Sequence, residues 1–156
     1  MTTELSPIAQ ALGRIPTGLY IVTTQADGAP LGFVGSFVMQ VGFEPPTVCV
    51  AIGSDRAHLA AVRASGRFAV SVLDKQSQGL MSAFFKKDAD PFDGLETQAA
   101  KGGCAVLPES LAWFECKLSG EHAAGDHVVV FGTVTDACMQ RDSEPSVHLR
   151  KNGLGY

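Results

Sequence analysis

The sequence predicts a mainly β domain, an antiparallel barrel with a few short helices appended. Three observations support this prediction: six or seven β-rich segments, hairpin-like links between them, and no repeating β-α-β alternation. The length of 156 residues, with 46% apolar and 18% charged residues, suits one globular domain over residues 1–156. No internal repeat or low-complexity linker indicates a second domain.

A short helix is predicted before the first strand. Ser6 is a suitable N-cap, Pro7 takes the first helical position, and Gly13 ends the helix. A second helix is predicted where the apolar period changes after residue 56, with Gly66 as its stop. Residues 76–85 are also predicted to be helical, and an acidic loop follows them.

The strands are predicted from β-branched, aromatic and alternating apolar segments. Asp27-Gly28 supplies the turn of the first hairpin. The predicted strands are residues 18–24, 31–39, 47–52, 67–73, 111–122 and 127–139, and the tail 146–156 has room for one more. Four aromatic residues that fall on or beside these strands are predicted to be core: Phe68, Trp113, Phe114 and Phe131.

Charge and composition argue against two classes of partner. The formal net charge is -4 and no Lys/Arg run forms a basic stripe, so we expect no nucleic-acid binding. No apolar run approaches the roughly 20 residues of a membrane span, and the amino-terminal segment lacks the pattern of a secretory signal. The scattered cysteines are interpreted as small core residues: Cys49, Cys104, Cys116 and Cys138. We expect them to stay reduced in a cytoplasmic protein.

Several common catalytic sites are absent from the sequence. It has no G-x-S-x-G elbow, no phosphate-binding G-x-x-x-x-G-K-[ST] loop and no G-x-G-x-x-G fingerprint. Asp88, Asp90 and Asp93 approach a calcium loop, but Ala99 stands where a closing Glu is required, so a solvated loop is predicted. The histidines lack zinc-site spacing, and no metal is expected. This pattern favours chemistry carried by a bound cofactor.

The stretch "GFVGSFVMQVGFEPP", residues 32–46, interrupts a predicted strand with glycines and ends at a double proline. Glycine within a strand marks either a close approach of a ligand or another backbone, or a β-bulge at a barrel corner. Both interpretations remain open from these residues alone.

Five segments carry a resemblance to a known family: "GRIPTGLYIVTT", "GSFVMQVGFEPP", "SGRFAVSVL", "LAWFECKLSGE" and "GDHVVVFGTV". In this order they resemble the flavin reductase-like family of FMN-binding split-barrel proteins. The resemblance implies a Greek-key split barrel, a homodimer, and hydride transfer from NADH or NADPH to FMN, or to FAD. It also implies a possible partner, a flavin-dependent monooxygenase or other electron acceptor.

Two other functions compete with the reductase. One is an FMN-binding electron carrier or sensor without efficient NAD(P)H turnover. The other is a split barrel that has lost flavin and serves a structural or haem-related role. No local sequence signature marks a nicotinamide-binding face in such barrels, so the residues leave this choice open.

The resemblance also implies roles for particular residues. It places one segment beside the flavin ring and ribityl chain: Gly35, Ser36, Phe37, Val38, Met39, Gln40 and Val41. It places a second group at the flavin phosphate: Gly53, Ser54, Arg56 and, next to them, His58. The strand-to-helix corner there offers free N–H groups to an anion, and Asp55 is expected to turn away as the helix N-cap.

Three further positions complete the predicted site. Phe85 and Lys87 are candidates near the flavin, although a Lys pair at a helix end also serves as a solvated cap. His127 is the catalytic candidate, for orientation or charge stabilisation rather than acid-base work. A structural histidine bonded to the Gly125-Asp126 turn is the alternative. The family often has Ser where this chain has Gly42, so a weaker hold on flavin is expected.

Overall fold

A seven-stranded antiparallel sheet forms the body of the protein in the computed structural model, which describes residues 3–156. Met1 and Thr2, part of the predicted domain 1–156, lie outside the described residues. The sheet strands are β1 (Tyr20–Ala26), β2 (Ala29–Gly35), β3 (Val38–Phe43), β4 (Pro46–Gly53), β5 (Arg67–Val72), β8 (Ala112–Ala124) and β9 (His127–Met139). The short strands β6 (Gln98–Ala99) and β7 (Ala105–Val106) pair separately, and the helices are α1 (Pro7–Leu12), α2 (Ala57–Ser65) and a 3-10 helix (Gln78–Phe85).

The strand order β2-β1-β5-β8-β9-β4-β3 closes the sheet into a split barrel. Strands β2 and β3 are the two edges, yet only Ser36 and Phe37 separate them in the chain. Two linking residues bridge at most about 11 Å, whereas the edges of a flat seven-stranded sheet would stand about 29 Å apart. The short link therefore forces the sheet to curl, and the unpaired edges leave a split.

The main core fills the inside of the barrel. Phe68 and Val70 of β5 are fully buried there, beside Val50 of β4 and Val130 of β9. Helix α2 adds its apolar face to this cluster and packs chiefly against β1. No helix among residues 3–156 is long and apolar enough to cross a membrane.

Most predicted elements are confirmed. Ser6 caps α1 by accepting from the Ala9 N–H, and Pro7 begins the helix. Gly66 ends α2 in the left-handed conformation that favours glycine, at φ 70°. The hairpin of β1 and β2 turns at Asp27-Gly28. The mainly β antiparallel fold is likewise confirmed.

Several local predictions are wrong. The strand expected over 31–39 is two strands, because the chain leaves one edge of the split barrel at Gly35 and begins the other at Val38. The segment 76–85 is helical as predicted, but as a 3-10 helix over Gln78–Phe85. The tail 146–156 forms no strand, and its backbone bonds to the rest of the described chain at Ser146, His148 and Gly153.

Two predictions for single side chains also fail. Arg56, not Asp55, is the N-cap of α2, and it makes no side-chain capping bond. Cys138 is exposed near the end of β9, and Cys49 is only half-buried. Cys104 and Cys116 are buried as expected, and burial raises the pKa of each thiol to about 12.

Candidate functional site

A cleft of about 510 Å³ opens at the split of the barrel. Its wall comes from the end of β2, the Ser36-Phe37 link, β4, the 3-10 helix and the tail. The lining residues are Leu19, Phe33, Val34, Gly35, Ser36, Phe37, Ala51, Gly53, Arg56, Met81, Phe84, Phe85, His148, Arg150 and Tyr156. This volume falls within the range of small-molecule sites, and a mostly apolar lining with a few polar groups is typical of them.

The glycines of the interrupted strand are required by close packing of the protein's own side chains. A Cβ on Gly35 would lie 3.1 Å from Val22 Cγ2, and one on Gly32 would lie 3.0 Å from the rings of Phe84 and Phe92. A β-bulge was the other interpretation of these glycines. A bulge does occur, but further along the chain at Val41, where the pairing of β3 with β4 shifts register. Gly32 thus lets the 3-10 helix and its loop approach β2, and Gly35 lets β2 pack closely on Val22 of β1.

The structure brings together part of the predicted site. The predicted residues that line the cleft are Gly35, Ser36, Phe37, Gly53, Arg56 and Phe85. The predicted residues outside its lining are Val38, Met39, Gln40, Val41, Ser54, His58, Lys87 and His127. Strand β3 carries four of these on an exposed edge, and Lys87 is exposed beyond the 3-10 helix.

Arg56 and Arg150 bring two positive charges to the cleft. The Arg56 guanidinium carbon lies 6.0 Å from the ring centroid of Phe33, and that of Arg150 lies 4.6 Å from the centroid of Phe37. Within residues 3–156, neither arginine forms an ion pair with a carboxylate. Their charges are therefore available to an anion, with the guanidinium planes supported by aromatic rings.

Carboxylates are scarce around these arginines. No Asp or Glu is among the lining residues. Asp55 comes closest on the Gly53 side, with Oδ1 3.3 Å from where a Cβ on Gly53 would stand. Because Asp55 is not the helix cap, its carboxylate does not consume the free N–H groups at the start of α2.

Ser54 and His58 are occupied by contacts with the protein. The Ser54 hydroxyl donates to the Asp126 carbonyl at 3.0 Å. His58 donates from Nε2 to the Gly32 carbonyl, also at 3.0 Å, and its ring packs edge-on against Phe33. Burial lowers the pKa of His58, which favours the neutral ring. His58 thus supports Phe33 from behind and contributes no positive charge to the cleft at neutral pH.

His127 lies next to the cleft, at the beginning of β9. Its Nδ1 lies 2.7 Å from a carboxylate oxygen of Asp126, which can only accept, so Nδ1 carries a proton. In the neutral ring Nε2 accepts from the hydroxyl of Tyr156. The rings of Phe37, His127 and Tyr156 all lie within 6 Å of one another by centroid. The hydrogen bond from His127 lowers the pKa of Asp126.

The family model for the flavin reductase like domain matches residues 12–153 of this chain. The chain belongs to this family. Diflavin flavoprotein A 1 of Synechocystis is 35% identical over 97% of this chain, and HsaB of Rhodococcus jostii, the reductase subunit of a flavin-dependent monooxygenase, is 34% identical over 92%. The alignments span 27% and 74% of those two proteins, so the chain covers about a quarter of the diflavin relative.

Solved structures agree with this assignment of the flavin reductase-like domain. Nitrilotriacetate monooxygenase component B from Mycobacterium thermoresistibile superposes with a TM-score of 0.85 at 30% identity, covering 93% of this chain and 82% of that one. The resemblance inferred from the five sequence segments is thereby confirmed, as is the split-barrel fold.

Sequence reasoning missed several lining residues of this flavin reductase-like domain. Arg150, Tyr156 and His148 come from the tail, and Met81 and Phe84 come from the 3-10 helix. The tail reaches the cleft because His148 pairs with Thr17, a contact that has no local sequence signature. The sequence signal for these tail residues was weak: the tail carries Arg150 and Tyr156 but lacks the regular alternation of a strand.

Within residues 3–156, no group of three or more His, Cys, Asp or Glu side chains is arranged to hold a metal ion.

Proposed function

We propose that this chain is an NAD(P)H-dependent flavin reductase that binds FMN in the cleft at the barrel split. The observation that supports this most is the pair of arginines without carboxylate partners, Arg56 and Arg150, in a largely apolar cleft. A planar ring with an anionic tail matches such a lining, because the apolar wall contacts the ring and the charge of Arg56 attracts the tail. FMN held there would supply N5 as the acceptor of the hydride, with both its electrons, from C4 of the nicotinamide.

Arg56 would hold the flavin phosphate, together with the first N–H groups of α2. The helix begins without a side-chain cap, so these donors are free to meet an anion beside the arginine. Ser54 joins them only if its hydroxyl gives up the Asp126 carbonyl. Gly53 keeps the corner open to the phosphate, with no side chain between it and Arg56.

The interrupted strand would form the floor under the ring. Gly35, Ser36 and Phe37 line the cleft, and their backbone groups are the nearest source of donors and acceptors for the polar edge of a flavin. Phe85, 67% exposed at the rim, would cover the ring from the other side. We place Val38, Met39, Gln40, Val41, His58 and Lys87 farther from it, as support or rim.

His127 would orient the nicotinamide rather than transfer a proton. Hydride transfer needs no protein acid at the reacting carbon, so stacking and alignment are the protein's part. Asp126 and Tyr156 hold the imidazole on both nitrogens, which fixes the ring plane beside Phe37. The same bonds would serve a purely structural histidine, so the two roles are separated only by kinetics.

An FMN-binding electron carrier is the second candidate. The observation that favours it is the similarity to diflavin flavoproteins. The matching segment makes up only 27% of diflavin flavoprotein A 1. A domain inside a longer flavoprotein can pass electrons along that protein without using NAD(P)H itself. For the reductase, HsaB suggests instead that reduced flavin goes to a partner monooxygenase.

We further propose that the protein is a homodimer and that it is located in the cytoplasm. The edge strand β3 exposes apolar side chains that a lone molecule would leave in water, with Met39 61% and Phe43 87% exposed. Long apolar edge strands are normally covered, so a second copy of the chain is the occupant we propose. Analytical ultracentrifugation of Phe43→Lys should then show a shift toward monomer.

One experiment tests the reductase against the carrier. The protein is loaded with FMN, which gives flavin absorbance, and is mixed anaerobically with NADH or NADPH. Bleaching within seconds supports the reductase. Flavin absorbance that persists, but bleaches with dithionite, supports the carrier. Failure to bind FMN, riboflavin or FAD contradicts both.

A further inference from the structure

We propose that Arg150 binds a phosphate group of the nicotinamide dinucleotide, while Arg56 holds the flavin phosphate at a separate position. The inference deepens the proposed reductase function and rests on it. It makes Arg150 a substrate-binding residue for the hydride donor and not for the flavin.

Arg150 is built as an anion-binding side chain. Its guanidinium carbon stands 4.6 Å above Phe37, and its Nε is buried without a hydrogen-bond partner. A buried donor left unpaired costs free energy until a ligand meets it. Arg141 provides a contrast, because its guanidinium donates hydrogen bonds to both carboxylate oxygens of Asp74 at 2.7 Å.

The two cleft arginines are fixed on different aromatic rings. Arg56 lies over Phe33, which also packs edge-on against His58 near the start of α2. Arg150 lies over Phe37, which is flanked by His127 and Tyr156. Val34, Gly35 and Ser36 lie between the two phenylalanines in the chain. Each arginine therefore packs on a ring of its own.

The surroundings assign these two places to two ligands. The Arg56 side adjoins the free N–H groups of α2, the expected seat of the flavin phosphate. The Arg150 side adjoins His127, the residue proposed to face the nicotinamide. A reductase that brings two anionic molecules together needs a cation for each, and the cleft holds two arginines without carboxylate partners.

The electrostatics of Tyr156 agree with this arrangement. Burial raises the pKa of its hydroxyl, while the charges of Arg56 and Arg150 act in the opposite direction. Both guanidinium groups are thus close enough to act on the same mouth of the cleft. The acids nearest this mouth are Asp126, whose side chain is 94% exposed, and Asp55 beside Gly53. Two like charges facing one opening repel each other, and bound anions relieve that repulsion.

The test uses Arg150→Gln in steady-state kinetics with FMN as acceptor. We expect KM for NADH to rise about ten- to a hundredfold, because one charge-assisted contact is lost, with kcat little changed. The dissociation constants of FMN and riboflavin should stay as in the wild type. The rate with 1-benzyl-1,4-dihydronicotinamide, a hydride donor that has no phosphate, should also stay unchanged.

Matched variants isolate the contact. Lys151→Gln removes the same charge from the next residue, which is exposed and outside the cleft, and should leave KM for NADH unchanged. Arg150→Lys keeps the charge but loses the planar fork, so it should restore part of the affinity. Thermal unfolding of each variant shows whether loss of packing on Phe37 has altered the fold.

Specific outcomes overturn the inference. Equal weakening of FMN, FAD and riboflavin would place Arg150 on the flavin ring, and weakening of FAD alone would place it on the flavin adenylate. An equal loss with NADH and with the phosphate-free donor would make its role structural. If the wild type binds flavin but never oxidises NADH, the proposed function itself fails; if the wild type turns over and Arg150→Gln is normal, only this inference fails.

Discussion

The domain has two surface depressions, and the arginines at them differ in whether a carboxylate pairs with them. Beside the larger one, about 730 Å³, Arg141 donates to both carboxylate oxygens of Asp74. Ser77 and Ser143 donate to the same carboxylate, and Asp74 is only 2% exposed. In the cleft of about 510 Å³, the arginines lie over phenylalanine rings and meet no carboxylate within the described residues.

The difference shows that size does not identify a binding site. The charges of Asp74 and Arg141 are paired with each other, so this cluster ties the start of the 3-10 helix and the segment after β9 to the barrel. The charges of the cleft arginines are unpaired among the described residues, so they remain available to an anion. The first region should therefore control stability and the second should control affinity, and each prediction below separates those two quantities.

The largest effect is expected from Asp74→Asn. It leaves Arg141 without its counterion in a largely buried setting, and removing one partner of such a pair costs about 3 kcal/mol or more. Urea unfolding should show this loss, while FMN affinity of the folded protein stays unchanged. As a control, Glu121→Gln breaks an exposed pair with Arg63 and should cost much less, because solvent screens that pair. A loss at Asp74 no larger than at Glu121 would contradict the contrast.

The same carboxylate should give stability a pH dependence. Hydrogen bonds from Arg141, then from Ser143 and Ser77, hold the pKa of Asp74 well below its usual range despite burial. An Asp in the unfolded chain has a pKa of about 3.9. Near and below that pH the folded protein therefore binds fewer protons than the unfolded chain. The stabilisation is therefore complete above about pH 5 and is lost as pH falls through about 4 toward the folded pKa.

Urea titrations of wild type and Asp74→Asn at several pH values measure this directly. The difference in unfolding free energy between them should be constant from about pH 7 to about pH 5, and should shrink below about pH 4. A gap that stays constant down to about pH 3 would mean that another group supports Arg141.

Arg56→Ala comes next in size and acts on affinity. It should weaken FMN much more than riboflavin, because only FMN carries the phosphate. One charge-assisted contact is worth about 1.5–3 kcal/mol, or about ten- to a hundredfold. Fluorescence titration of both flavins measures it, and urea unfolding should be nearly unaffected because Arg56 is exposed. Equal loss for both flavins would give Arg56 a different role.

These two regions were not equally predictable from the sequence. The barrel strands follow from alternation and β-branched runs, and Arg56 follows from the strand-to-helix corner that precedes α2. Arg150 and Tyr156 could not be placed, because their position depends on the pairing of His148 with Thr17 and of Gly153 with Ala9. Asp74 was missed for the same reason: its partners Arg141 and Ser143 lie far away in the sequence.

The smallest effect expected is a response to salt. The Debye length falls from about 10 Å at 0.1 M to about 3 Å at 1 M ionic strength, and it screens solvent-exposed charges far more than buried ones. FMN affinity should therefore weaken severalfold over this range, since the charge of Arg56 is open to solvent. Riboflavin affinity and the unfolding cost of Asp74→Asn should barely change. If FMN and riboflavin respond alike, Arg56 does not attract the phosphate, and the contrast between paired and unpaired charge loses its functional meaning.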